Sequence, residues 1–600
     1  MRNMIRNEYP RPQLERKDWI NLNGEWTYKI LMRPPHQASR GDFPREEQSK
    51  GFGDKIIVPY PPESRLSGVE EKDLITCIFY HRQLAIPEQY QGKQILLHFG
   101  AVFYHARVYI DGRLIDFHDG GSSSFAVDIT AAVKPGSSHD LVVRADSNLQ
   151  DGSVPSGKQS SFFKSYGCMY TRITGIWQTV WMEALAPGSI QKLNLVPDID
   201  QETLTLMPEF YPDSASTEGR ILRIAVTDQA GRPVASWEGQ AVNGAMPVLS
   251  IPGCTLWSPD HPHLYRVSLK VIGGKGEIID EVQSYAGMRK VHIAGGQFFL
   301  NNKPFYQRLV LDQGYYPDGL WTAPDDAALK RDIELSKSAG FNGARLHQKV
   351  FEQRYYYWAD TLGYICWSES PSWGLDYNTE GLPPRNFLSE WAELVSQNCS
   401  HPCILVWTPF NETGSFTNPL AHRRLHRDAY RLCKMIDPSC RPVNDSSGYL
   451  HFITDVWTSH TYEQDPALLK KQQALDGDGK PYRNIPEHEA AYQGQPYLVD
   501  EYGGIKWDPA TQLEDSAAHD QNLLSWGYGE APKSLEEFYA RLEALTDALL
   551  QTPHIQGYCY TQLTDVEQEK NGIYFYNRTE KFDMERIRRV FSRVPERFRE

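Results

Sequence analysis

Ile404-Leu-Val-Trp-Thr-Pro-Phe-Asn-Glu-Thr-Gly414 decides the reading of the fold, because a short apolar run there releases a polar pair, Asn411-Glu412. A strand that is apolar on both faces belongs in a buried parallel sheet, and the pair then falls in the loop at its carboxyl end. A second stretch has the same design: Tyr497-Leu-Val-Asp-Glu-Tyr-Gly-Gly504 is apolar, ends on Glu501 and turns on glycine. Two strands that each deliver one Glu at the carboxyl end are what a (β/α)8 TIM barrel needs to face two acids across a bound sugar.

Working outward, strands alternate with helices from Arg289 onward. Candidate strands are Tyr306–Asp312, Gly340–His347, Gly363–Glu369, Ile404–Thr408, Arg441–Asp445, Asp455–His460, Tyr497–Glu501 and Gly557–Gln562. Eight such strands close a barrel. Amphipathic helices are expected between them, for example from Asp325 and from Leu535. No Gly-rich phosphate fingerprint follows any of these strands, which argues against a dinucleotide-binding sheet.

Upstream the period changes to two. Short alternating runs punctuated by turns, such as Ala106-Arg-Val-Tyr-Ile-Asp-Gly112 and Trp177-Gln-Thr-Val-Trp-Met-Glu183, predict an antiparallel β-sandwich. Arg220-Ile-Leu-Arg-Ile-Ala-Val-Thr and Leu264-Tyr-Arg-Val-Ser-Leu-Lys-Val-Ile predict a second, immunoglobulin-like sandwich, and its lone Cys254 makes it the disulfide-free kind. The expected units are residues 1–184, 185–288 and 289–600.

Composition narrows the function. With 62 Lys+Arg against 76 Asp+Glu the net charge is −14, and no basic run stands out, so neither nucleic acid nor an anionic membrane is an expected partner. Nine cysteines without framework spacing fit a reducing compartment, and the amino terminus lacks an apolar signal core, so a cytoplasmic protein is expected. Cys399-Ser-His-Pro-Cys403 has no matching second half and is not read as a zinc site. Neither a metal nor another cofactor is expected.

The polar residues at the predicted strand ends are Asp312, Arg345, His347, Glu369, Asn411, Glu412, His460, Tyr462, Glu501 and Gln562. Nearly every strand therefore ends in a group able to bind or ionise, which points to an enzyme on carbohydrate. One carboxyl group would protonate the departing oxygen while the other attacks, or activates water at, the anomeric carbon.

Longer stretches carry a resemblance. Leu22-Asn-Gly-Glu-Trp26, His118-Asp-Gly-Gly-Ser-Ser-Ser-Phe125, Thr174-Gly-Ile-Trp-Gln-Thr-Val-Trp181, Leu256-Trp-Ser-Pro-Asp-His-Pro-His-Leu-Tyr265 and Gly340-Phe-Asn-Gly-Ala-Arg-Leu-His347 resemble glycoside hydrolase family 2, the family of β-galactosidases, β-glucuronidases and β-mannosidases. The resemblance implies a jelly-roll sugar-binding domain, an immunoglobulin-like β-sandwich and a catalytic barrel, often in dimers or tetramers. It implies Glu412 as general acid/base and Glu501 as nucleophile of a retaining mechanism. It further implies Arg345 beside the nucleophile, Asn411 on the sugar 2-hydroxyl and Tyr462 next to Glu501; His347, Glu369, His460, Asp312 and Gln562 complete the candidate substrate contacts.

Departures from the family pattern bear on the sugar. Lys349 enters a region that is usually apolar, and Tyr560-Thr-Gln562 stands where many relatives place Trp. β-Glucuronidases read the sugar carboxylate with an Asn-x-Lys pair after the last strand, and here Glu569 and Asn571 stand in those places. A retaining exo-β-glycosidase acting on a β-galactoside or related neutral glycoside is thus the expectation. A β-glucuronidase or β-galacturonidase, with Lys349 or Lys570 supplying charge, is the alternative; a non-catalytic carbohydrate-binding protein is the reading from another class.

Overall fold

The computed structural model describes residues 5–32, 51–211, 219–414, 417–509 and 525–599. The first sandwich pairs two antiparallel sheets. One runs Ile20–Asn21, Val180–Leu185, Gln94–Phe99, Phe125–Asp128; the other runs Asp54–Val58, Gly24–Leu31, Cys77–Ala85, Ser138–Asp146, His105–Ile110, Arg113–Asp119. Trp26, Tyr80, Leu97, Val108, Val143 and Met182 fill the space between them. In the second sandwich Ile190–Asp198, Thr203–Phe210 and Val248–Ser250 face Pro233–Gln240, Ile221–Thr227, Tyr265–Ile272 and Ile278–Ala286. Its strands show the period-two pattern directly, with Tyr265, Val267, Leu269 and Val271 buried and Arg266 exposed.

The barrel strands are β1 (Gln307–Asp312), β2 (Gly343–Leu346), β3 (Ile365–Glu369), β4 (Ile404–Thr408), β5 (Trp457–Thr461), β6 (Tyr497–Gly503) and β7 (Ile555–Thr561). They form one parallel sheet in the order β4-β3-β2-β1-β7-β6-β5. From β2 to β7 every residue is buried, because helices cover one face and the barrel interior fills the other.

One expected strand is different. Residues 441–445 form no ladder strand; an isolated bridge joins Val443 to Trp407 of β4, and a second joins Asn411 to Ser447 just beyond. Pro442 has no N–H to donate, and the segment leans instead on Trp407 N bonding its carbonyl at 3.1 Å and Asn444 N bonding Trp407 O at 2.9 Å. On the other side Gly448 N donates to Thr458 Oγ1 of β5 at 3.0 Å. An irregular segment therefore occupies the fifth place of the barrel, and β5 and β6 hold the sixth and seventh.

Helix α1 (Asp326–Ser338) begins where Asp325 Oδ1 accepts from Ala328 N at 2.8 Å and stops at Gly340, whose φ is +103°. Leu14 packs in the second sandwich and Trp257 in the barrel core, where Trp257 Nε1 donates to Asp360 O at 2.7 Å. Arg16, buried, joins Glu183 of the first sandwich to Asp280 of the second at 3.3 and 2.8 Å.

Candidate active site

Arg345, next to last on β2 and wholly buried, is the hub. Its Nη2 donates to Glu501 Oε1 at 2.5 Å, to Asn411 Oδ1 at 3.1 Å and to His347 Nδ1 at 2.5 Å. Nη1 donates to Asp500 O at 2.9 Å and to Ser447 Oγ, while Nε lies 3.0 Å from Glu369 Oε2. One guanidinium thus ties together the ends of β2, β3, β4, the irregular fifth segment and β6.

Glu412 lies just past β4 with φ at +48°, a left-handed conformation uncommon for a side-chain-bearing residue, and its N–H donates to Ser447 O at 2.9 Å. His460 of β5 bridges the acids: Nδ1 is 2.7 Å from Glu412 Oε1 and 3.5 Å from Glu501 Oε2, and Nε2 is 3.3 Å from Asp500 Oδ1. Carboxyl oxygens of Glu412 and Glu501 and a ring nitrogen of His460 all lie within 4.8 Å of one another. The Glu412 side chain is 17% exposed and that of Glu501 5%, so the first meets solvent and the second sits deeper.

The electrostatics separate the two acids. Burial pushes the Glu501 carboxyl up, but His460, Arg345, Lys158 and the Tyr462 hydroxyl outweigh it and hold it well below the usual range, so Glu501 is an anion. Burial would neutralise His460, yet Glu501, Asp500 and Glu412 push it up to about 10. His347 is driven well below the ordinary histidine value by burial and by Lys158 and Arg345, so it is neutral and accepts at Nδ1. With its proton bound, His460 lies between the two carboxyl groups as a bridging cation. The other grouping with ligand spacing, Asp360, His401 and Cys403, is internally satisfied: Asp360 Oδ2 accepts from Tyr285 OH at 2.9 Å and contacts His401 Nδ1 at 2.6 Å. Cys399 turns away toward Asn194 Oδ1 at 3.5 Å.

Asn411, Arg345, His347, Glu369, Glu412, His460, Tyr462 and Glu501 are therefore brought together. Tyr462 OH donates to Glu501 Oε2, and its ring stacks on Tyr528 with centroids 3.3 Å apart. The amide Nδ2 of Asn411 is buried with no hydrogen-bond partner among the described residues. Two other candidates sit apart. Asp312 accepts from Gly314 N at 2.9 Å and Tyr355 OH at 3.3 Å and bonds to neither Glu412 nor Glu501. Gln562 belongs to a chain of amides running from Gln313 through Asn571 at 2.7 Å to Glu569, which Tyr170 OH also bonds. Lys349, a candidate source of charge, caps Gly314 O at 2.5 Å and Trp321 O at 2.7 Å under the first sandwich.

Sequence reasoning singled out no residue of the wall that the first sandwich contributes. Ser156 N and Gly157 N donate to Trp373 O at 2.8 and 3.1 Å, and Trp373 Nε1 donates to Asn411 O at 3.1 Å. Gln568 Nε2 grips Gly167 O and Met169 O at 2.7 and 3.0 Å, and Thr171 N donates to Glu567. The loop from Ser153 to Thr174 thus spans the barrel mouth from the β3 side to the β7 side and carries Lys158 inward. Its only sequence signal was the cation Lys158 after a glycine, too common a pattern to single out.

This is the fold and site of a glycosidase barrel with two accessory sandwiches. Residues 189–289 match the model of glycosyl hydrolases family 2, and residues 291–594 match its TIM barrel domain. The chain belongs to glycosyl hydrolases family 2. Similar proteins include the putative β-glucuronidase of Formosa agariphila, 28% identical over 56% of this chain, and the β-glucuronidase of Paenibacillus borealis, 22% identical over 86% of it; β-galactosidases are also among the matches. The matched stretch spans 39% of the first protein and 88% of the second. A likeness of fold extends to the β-glucuronidase of Ruminococcus gnavus, solved with D-glucuronic acid, at TM-score 0.77 and 18% identity over 98% of this chain and 100% of that one. No helix among the described residues is long and apolar enough to cross a membrane.

Proposed function

We propose that the chain is a retaining exo-β-glycosidase in which Glu501 is the nucleophile and Glu412 the general acid/base. The observation that carries this is the approach of their carboxyl oxygens to within 4.8 Å. Retention needs carboxyl groups about 5–5.5 Å apart, whereas inversion leaves room for a water at roughly 6.5–9.5 Å. Glu501 Oε attacks the anomeric carbon as the glycosidic C–O bond breaks, and Glu412 gives its proton to the leaving oxygen. Glu412 then takes a proton from water as that water's oxygen displaces Glu501, which leaves as the free carboxylate. Arg345 and His460 keep Glu501 ionised for attack, and the free amide N–H of Asn411 suits a hydroxyl of the bound sugar.

For the sugar we favour a β-linked uronide, the alternative in the sequence reading, over the neutral galactoside first expected. The names of the similar proteins lean toward β-glucuronidases. Glu569, whose carboxylate was the ground for expecting a neutral sugar, has its two oxygens bonded by Tyr170 OH and Asn571 Nδ2. The neutral reading retains support from the β-galactosidases among the matches. We also take the chain to divide near 184 and 288, in keeping with separate cores around Trp26, Leu269 and Trp367.

Proton NMR of aryl β-glycoside hydrolysis is the test. The β-anomer should appear first and α only later by mutarotation; α-anomer as the first product rules out the double displacement.

A further inference from the structure

Lys158 is a buried cation beside the acid pair that, beyond helping to hold Glu501 ionised, has no ligand in the described mechanism. It is 7% exposed, and its Nζ makes no hydrogen bond and no ion pair among the described residues, only a contact 5.4 Å from the ring centre of Trp373. An ammonium held in a protein interior without a hydrogen-bonded anion forgoes much of the pairing that offsets its burial.

Its position is built, not incidental. The preceding Gly157 has φ at +61°, and a Cβ there would lie 2.3 Å from Gln348 O, so the loop reaches the barrel backbone as closely as a glycine permits. Gly157 N donates to Pro371 O at 2.9 Å, and the Lys158 carbonyl accepts from Tyr170 N at 2.8 Å, which fixes the backbone on both sides of the side chain. The Trp373 ring beneath the ammonium is bonded in turn to the Asn411 carbonyl, one residue from Glu412. Lys158 therefore stands at the edge of the acid pair, on the side formed by the first sandwich.

The geometry points to Lys158 as the receptor for a carboxylate on the terminal sugar, a role given to the first sandwich and not to the barrel loop after the last strand. The inference rests on the uronide reading above. Burial disfavours the ammonium, but Cys168, Glu569, Glu501 and Glu412 outweigh it and move Lys158 above the ordinary lysine value, so it is a cation at neutral pH. Glu569 faces the same space, and there Tyr170 OH and Asn571 Nδ2 already occupy its two oxygens. An arriving carboxylate would find one ammonium donor without a hydrogen-bond partner and with an aromatic face behind it, and a neutral hydroxymethyl group would leave that ammonium without a hydrogen-bonded anion.

The experiment compares wild type, Lys158→Met and Lys158→Arg on 4-nitrophenyl β-glucuronide and β-galacturonide against the matching β-glucoside and β-galactoside, with thermal unfolding as the check on fold. Removing one partner of a buried charge pair should lower the uronide-to-neutral ratio of kcat/KM by roughly a hundredfold, mostly through KM, with partial recovery in Lys158→Arg. A wild type that prefers uronides with a ratio unchanged in Lys158→Met overturns the assignment of Lys158 alone. A wild type that turns over only the neutral pair overturns the uronide reading and this inference with it.

Discussion

Arg345 and His460 show how two acids of the same type acquire different behaviour. Glu501 is surrounded by fixed cations and hydrogen-bond donors, whereas Glu412 touches His460 on one side and solvent on the other. The bridging imidazolium has a measurable consequence. Its ordinary value is 6.5 and, against the effect of burial, Glu501, Asp500 and Glu412 take it to about 10, so the proton is bound more tightly in the folded protein. Stability from this group is complete below pH 6.5 and is lost as pH rises toward 10. Thermal unfolding of the wild type should therefore fall across that window more steeply than that of His460→Gln; parallel curves would contradict it. At this scale much was legible. Glu412 and Glu501 could be found because each ends an apolar run, and Arg345 because it ends another. Lys158 and Trp373 could not, since a loop residue acquires its surroundings only through tertiary contacts, and Asp312 was grouped with the site on position alone.

Element by element, the barrel and the sandwiches were separable because burial on two faces removes the alternation that burial on one face imposes. β4 reads Ile-Leu-Val-Trp-Thr with every residue buried, while Tyr265–Ile272 alternates. The fifth barrel place was misread as a regular strand. Its composition suits a strand, but Pro442 interrupts the ladder and the side chains of Thr458 and Asp455 replace the missing backbone bonds; Val443 N donates to Asp455 Oδ2 at 2.8 Å. The loop bearing Lys158 gives the prediction proper to this scale. Gly157→Ala puts a Cβ into Gln348 O at an unfavourable φ, so the loop must lift from the β3 side or strain the barrel backbone. Destabilisation of about 1–3 kcal/mol is expected, together with a lower kcat/KM. Urea unfolding and steady-state kinetics measure both; an Ala variant equal to wild type in each would show that the close approach is not needed.

Across the whole molecule, the sandwich nearest the amino terminus lies over the barrel mouth, while the second sandwich meets the barrel at the amino ends of its strands, where Leu195 N donates to Ser400 Oγ at 3.0 Å. Thr322 Oγ1 donates to Trp177 O at 2.6 Å, and Lys349 lies between Trp177, Trp321 and Phe351, so the join is packed with aromatic rings and capped carbonyls. Arg345, His460 and Lys158 are the buried cations that act on Glu501 and shape the field at the acid pair. In the proposed mechanism, residues from two distant strands act on a single anomeric carbon, with Glu501 forming the bond to it. A 2-deoxy-2-fluoro-β-glycosyl fluoride, matched to the sugar the enzyme prefers, slows breakdown of such an ester enough to be seen by mass spectrometry. One fluoroglycosyl unit per chain, mapped to the peptide holding Glu501 and absent in Glu501→Ala, is the predicted result. A label on Glu412, Asp500 or any other residue, or full turnover by Glu501→Ala, would contradict it.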